Sequence, residues 1–280
     1  MGGKRTRRTT TKRIFAEKAT FESRGNSDFG TKRLLGSAEG SGTTLIYKPT
    51  GDDGSIAEFR PIASMDREVT LYKYLPRRYA EDLVRDGSTR VGTLYDFRRI
   101  ELGAGVADPN EGQLRVNRKI GGQLHYFPAG TQEAEAMKFF GISGEGAVQN
   151  ISFRRDIEHP GVFVWCCSTE FSADVESSLE GADACVEIRN AGLFFDELTR
   201  AIHAVRPVEF LGFRKVTYTP RNQNWESYSP DMSAAFVKDP GSYGAQNEVR
   251  AVWRSLDGNP IKAEFPRSAA LTEFCAIREL

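Results

Sequence analysis

Apolar residues in this chain fall in short runs, and their periods of about two and 3.6 residues mark an ordered body that begins near residue 65. Residues 69–75 (VTLYKYL) are β-prone and predict a strand. A helix is expected over 76–86. Pro76 suits its first position, Tyr79, Ala80, Leu83 and Val84 make one apolar stripe, and Gly87 can take a left-handed C-terminal cap. Further strands are expected over 89–94, 162–169, 184–188, 208–218 and 248–253, with 114–120 and 123–127 reading as a hairpin. Two more helices complete the pattern. One starts near Thr131, has 132–140 as its body and stops at Gly141. The other covers 192–205, with Phe194, Phe195, Leu198 and Ile202 as its buried stripe and Pro207 beyond its end. Strands outnumber helices and do not alternate with them. That predicts an α+β fold with mixed or antiparallel sheets and a few flanking helices, against a doubly wound sheet.

The first 64 residues follow neither period. They are rich in Gly, Ser, Thr and charge, too poor in apolar surface to offset ordering entropy, and predict a basic, largely flexible arm before one α+β domain over 65–280. Leu45-Ile46-Tyr47 and Phe59-Arg60-Pro61-Ile62 are the exceptions, each suited to an edge strand or a strap. A second polar stretch, 98–117, carries Asp108-Pro109-Asn110-Glu111-Gly112 and is long enough for a functional loop or lid.

With 280 residues the chain can bury one substantial core or two small ones. No apolar run approaches the ~20 residues of a membrane-spanning helix, and the N-terminus lacks an apolar signal core, so a cytoplasmic protein with no membrane association is expected. Cys166, Cys167, Cys185 and Cys275 match neither paired zinc knuckles nor a secreted disulfide framework and are expected as buried, reduced thiols. Nothing in the sequence brings His125, His159 or His203 to any of them. The formal net charge of zero conceals an asymmetry: Lys4, Arg5, Arg7, Arg8, Lys12 and Arg13 open the chain without an acidic residue among them. Such an arm either neutralises nucleic-acid phosphates or is a solvated tail.

The common phosphate loop, dinucleotide fingerprint, zinc-protease helix and nucleophile elbow are all missing from the sequence. Glu101, Asp108 and Glu111 pose two readings: a divalent-metal nuclease site, or acidic residues solvated in a loop, the second being favoured. Trp165, Trp225 and Trp253 read as core or loop anchors before base-stacking platforms.

Two motifs carry a candidate chemistry: Cys167-Ser168-Thr169 at the end of an apolar strand and Gln246-Asn247-Glu248 at the start of another. Together with Leu71-Tyr72-Lys73-Tyr74, residues 91–98 (VGTLYDFR), 108–112, Trp165-Cys166-Cys167-Ser168 and 243–253, their order resembles a poorly characterised bacterial family associated with abortive infection and phage resistance. It also resembles the ADP-ribosyltransferase superfamily, in which one strand bears Arg or His, a second bears Ser-Thr-Ser or an aromatic, and a third begins with Gln-x-Glu or Glu-x-Glu. Gln246-x-Glu248 matches the third motif and Ser168-Thr169 part of the second. Glu170 stands at the last position of the triplet, and Tyr72 and Lys73 stand where Arg or His is expected.

The resemblance implies NAD as cofactor and an ADP-ribosyltransferase-like fold. Breaking the nicotinamide–ribose bond builds positive charge on the sugar, so an ionised carboxylate beside the ribose stabilises the transition state more than the ground state. Glu248 is the expected carboxylate, Ser168 its positioning hydroxyl and Gln246 the group that orients the acceptor. Tyr95 or Tyr243 would stack on nicotinamide, Tyr72 would meet the adenosine half, and Thr169 would complete the cofactor contacts. Arg98 and Arg99 would fork onto the pyrophosphate, with Lys73 as added charge. The alternative for each is structural: Glu248 paired with Arg250 or Arg254, Ser168-Thr169 opening a turn, Tyr243 in the core. The expected function is a mono-ADP-ribosyltransferase-like toxin or phage-defence effector acting on a protein or nucleic acid. The alternatives are a non-catalytic nucleic-acid or partner-binding module and a metal-dependent nuclease.

Overall fold

A computed structural model describes residues 20–23, 35–38, 43–47, 65–98 and 105–279. The strands that open the chain are β1 (Thr20–Ser23), β2 (Leu35–Ala38), β3 (Thr43–Tyr47), β4 (Leu71–Leu75) and β5 (Gly92–Thr93), with helix α1 (Arg77–Asp86) between the last two. Next come β6 (Gln113–Ile120), β7 (His125–Phe127), α2 (Gln132–Phe139), β8 (Gly146–Gln149), β9 (Ile151–Glu158) and β10 (Phe163–Ser168). The remainder comprises α3 (Ala173–Ser177), β11 (Ala184–Ile188), α4 (Ala191–Val205), β12 (Val208–Lys215), β13 (Thr217–Tyr218), β14 (Asn222–Asn224), β15 (Val237–Lys238), α5 (Pro240–Tyr243), β16 (Glu248–Ser255) and β17 (Cys275–Arg278). The fold is α+β, with mostly antiparallel pairing and few helices, as the pattern predicted.

The described residues fall in two compact units, one within 1–55, 115–157 and 222–228, the other within 56–114, 158–221 and 229–280. Residues 65–280, expected as one domain, contribute to both. The basic segment 1–13 and the strap expected over 59–62 lie outside the described residues.

In the first unit, sheet order is β14-β6-β9-β3-β2, with a second sheet β1-β8-β7. Leu45, Ile46 and Tyr47 belong to β3, which lies inside the five-stranded sheet, parallel to β9 and antiparallel to the edge strand β2. The hairpin expected from 114–120 and 123–127 does not form: β7 pairs with β8, and β6 lies between β14 and β9. Packing explains the outcome, since Val116 and Ile120 of β6 join Ile151 and Phe153 of β9 in one buried cluster that also takes Phe127, Met137 and Phe140.

The second unit is built on a seven-stranded antiparallel sheet of order β12-β16-β10-β4-β11-β17, with β5 added beside β10. One face packs against α1 and α4. Leu71, Phe163, Trp165, Val249, Ala251 and Trp253 meet Leu83 and the α4 stripe of Phe194, Phe195, Leu198 and Ile202. Each fully buried Val, Leu, Ile or Phe among them contributes about 1.5–3 kcal/mol. The opposite face of the central strands is also covered, by Val164, Val252, Leu94, Leu211 and Phe236. Double coverage is why β10 reads as an unbroken apolar run with no alternation. Helix α1 ends as expected: Gly87 has φ +64° and its N–H donates to Leu83 O at 3.0 Å.

Candidate functional site: a cleft between diverging strands

Three adjacent strands position the site. In the β10–β16 ladder Ser168 lies opposite Glu248, and in the β4–β10 ladder the same Ser168 lies opposite Tyr72. Cross-strand partners in an antiparallel pair share a face, so Tyr72, Ser168 and Glu248 form one row across the sheet. Beyond that row β4 and β10 diverge, and β10 takes β5 as its neighbour instead, with Val164 opposite Gly92 and Phe163 opposite Thr93.

A cleft of about 790 Å³ lies at the divergence, lined by Tyr72, Lys73, Trp165, Cys166, Ser168, Gln246, Glu248 and Arg250 among others. Its size suits a ligand as large as a dinucleotide, within the range of about 300–1,000 Å³ for small-molecule sites.

Glu248 is the electrostatic centre. Its Oε1 accepts from Arg250 Nε at 2.6 Å and its Oε2 lies 2.7 Å from Lys238 Nζ, all three side chains being buried. Burial alone would raise its pKa, but Arg250 and Lys238 outweigh that and hold it well below the usual carboxylate range. It is therefore ionised at neutral pH. The Glu248 N–H donates to Tyr218 Oη at 2.8 Å, and burial pushes that phenol up to about 12. Lys238 is held in turn by Gln246 Oε1 at 3.1 Å, while Gln246 Nε2 donates to Gly105 O at 2.6 Å. Gln246 thus positions Lys238 and the 105–107 turn.

Arg250 also grips Glu111, its Nη1 on Oε1 at 2.7 Å and its Nη2 on Oε2 at 2.8 Å. Asp108 forms an ion pair with Arg221. Asp108 and Glu111 are 3 % and 0 % exposed, which corrects the expectation of a solvated acidic loop: both are folded inward and paired with cations distant along the chain. Glu101 lies outside the described residues. Among the described residues no cluster of three His, Cys, Asp or Glu side chains is arranged to hold a metal ion.

The remaining sequence candidates are dispersed. Lys73 lines the cleft and donates to Cys166 O at 2.5 Å, with its ammonium 4.6 Å from the Trp165 ring centre. Tyr72 also lines it, its ring centre 5.6 Å from that of Phe171. Tyr95 does not; its hydroxyl donates to His159 O at 2.8 Å and Arg98 lies over its ring. Arg98 is occupied by Glu111 O and by Glu158, each at 2.7 Å. Arg99 lies outside the described residues. Thr169 N–H donates to Asn247 O at 3.1 Å, and Tyr243 Oη to Ala107 O at 2.7 Å; neither lines the cleft. Ser168 Oγ accepts from Glu170 N–H at 3.0 Å, so it opens a turn as well as standing in the row.

The anticipated Glu248–Arg250 pairing is present, whereas Arg254 pairs with Glu209. Lys238 and Tyr218 carried no local sequence signal, since each reaches Glu248 only through tertiary pairing. All four cysteines are free; Cys167, Cys185 and Cys275 are buried and Cys166 is half-buried at the cleft. Trp165 and Trp253 are core residues, as expected, and Trp225 packs on Phe139 with ring centres 4.9 Å apart. No helix among the described residues is long and apolar enough to cross a membrane. No family model, curated protein or solved structure matches the chain.

Proposed function

We propose that the cleft binds NAD and that the protein is an ADP-ribosyltransferase-like enzyme that breaks the nicotinamide–ribose bond. The observation that carries this reading is the row of Tyr72, Ser168 and Glu248, contributed by three consecutive strands of one sheet at the edge of a dinucleotide-sized cleft. The three motif segments, scattered over the sequence, thereby lie side by side in one sheet.

The chemistry follows from Glu248. It is ionised, and a carboxylate has about four lone-pair sites. Arg250 and Lys238 engage one direction on each oxygen, which leaves acceptor capacity for a ribose hydroxyl. As the leaving nicotinamide departs, positive charge grows on the sugar and the carboxylate stabilises it. Arg250 shares its charge with Glu111, so it neutralises Glu248 only in part. Ser168 and Tyr72 border the sugar and the base, and Gln246 acts by holding Lys238.

The acceptor is a protein or a nucleic acid, the latter favoured by the basic residues of segment 1–13. The role as a toxin or phage-defence effector rests on the resemblance of motif order.

The test is nicotinamide release from NAD by wild-type protein and by Glu248→Gln, with and without RNA, DNA or cell lysate. Near-UV circular dichroism of both proteins verifies the fold. Wild type should release nicotinamide and the variant should lose roughly 10²–10³ in rate. Equal rates, or no release by wild type under any condition, overturn the proposal; salt-sensitive nucleic-acid binding without release would point to a binding module.

A further inference from the structure

Lys73 differs from every other lysine among the described residues. Lys119, Lys138, Lys215 and Lys262 are exposed, and Lys238 is buried against Glu248 at 2.7 Å. Lys73 is half-buried, lines the cleft and has no carboxylate in ion-pair range among the described residues. Its Nζ instead meets Cys166 O at 2.5 Å and stands 4.6 Å from the Trp165 ring centre.

Neither contact supplies a full negative charge, and burial costs an ammonium more than it costs an amine. Burial accordingly holds the Lys73 pKa below the usual lysine value, against the pull of the Glu248 carboxylate. The bond to Cys166 O needs a single N–H, which the neutral amine also has. The amine therefore keeps its place with its lone pair free, on the wall of a cleft with room for a sugar nucleotide. A desolvated lysine of this kind is a nucleophile toward carbonyl carbon. Ser168 and the unfilled lone pairs of Glu248 line the same cleft and suit the hydroxyls of a sugar.

We infer that Lys73 captures the aldehyde of an open-chain ribose unit as a Schiff base within the cleft. The amine lone pair forms the N–C bond as the carbonyl π bond opens, and nitrogen gives up its two protons to the oxygen, which leaves as water. Nothing is oxidised or reduced in that step. Cleavage of NAD by water leaves ADP-ribose, whose terminal ribose opens to such an aldehyde. The source of the sugar thus rests on the reading of the cleft as an NAD site, whereas the reactivity of the amine does not.

Reductive trapping tests the capture. Wild-type protein at pH 7 is incubated with cyanoborohydride and either ribose 5-phosphate, ADP-ribose or NAD, and the modified lysines are mapped by peptide mass spectrometry. With either free sugar Lys73 should be labelled roughly 10-fold or more faster than the four exposed lysines, and the preference should vanish in urea. Lys73→Arg keeps the cation and should lose the fast label; the mapping on wild type decides the matter even if that variant does not fold. Labelling of Lys73 only at the pace of the exposed lysines, or a preference that persists in urea, overturns the capture. NAD carries no free aldehyde, so label derived from it requires prior cleavage. Label from ADP-ribose with neither label nor nicotinamide release from NAD would leave the capture standing and remove the glycosidic reading. Nicotinamide release with no preferential label from ADP-ribose would do the reverse.

Discussion

Arg250 holds Glu111 through two parallel hydrogen bonds of 2.7 and 2.8 Å, with both side chains removed from water. The pair joins β16 to a turn well over a hundred residues earlier in the chain, and it fixes the guanidinium whose Nε meets Glu248. The charge at the candidate site therefore depends on a residue that does not line the cleft.

Removing one partner of such a pair leaves the other charge buried and unmatched. Glu111→Gln should destabilise the protein by about 3–5 kcal/mol. Urea denaturation followed by fluorescence measures it, and a loss below 1 kcal/mol would mean that water or Glu248 takes over the guanidinium.

Acid should weaken the protein partly through Glu248. Its folded-state pKa is depressed, so its contribution is complete above the ordinary value of 4.5 and is lost as pH falls below it. Glu248→Gln lacks this dependence. The stability difference between wild type and variant should shrink as pH drops from 6 toward 3, and a difference independent of pH would contradict the assignment.

Burial pushes the Cys166 thiol up to about 12 although it borders the cleft. Thiolate is the reactive form, so native protein at pH 8 should react slowly with a thiol reagent such as Ellman's, and all four cysteines should react after unfolding. A fast native phase of one equivalent would show an activated cysteine.

At Gly87 the left-handed backbone and close packing coincide: a Cβ there would come 1.7 Å from Ser268 O. Gly87→Ala should cost about 1–3 kcal/mol from backbone strain alone, and more from displacing the 268–271 turn. Thermal unfolding checks it; an unchanged midpoint would mean that the cap relaxes freely.

Local physics is what the sequence made legible. The α4 stripe, the Thr131 cap, whose side chain accepts from Ala134 N–H, and the Gly87 stop all depend on residues within a few positions of one another. The same holds for β10 and β16, whose apolar runs identify them as strands without saying what they neighbour.

Strand partners and the fate of each charge were decided only in three dimensions. Ser168 meets both Tyr72 and Glu248 because the β4–β10 and β10–β16 ladders adopt particular registers, and a one-residue slip would carry Glu248 to the opposite face. The strand partners of the 114–127 segment and the ion pairs of Asp108 and Glu111 likewise come from residues distant along the chain. A segment's period expresses its own conformational preference, whereas register and ion pairing minimise the free energy of groups distant along the chain, and those groups meet only when the whole sheet has closed.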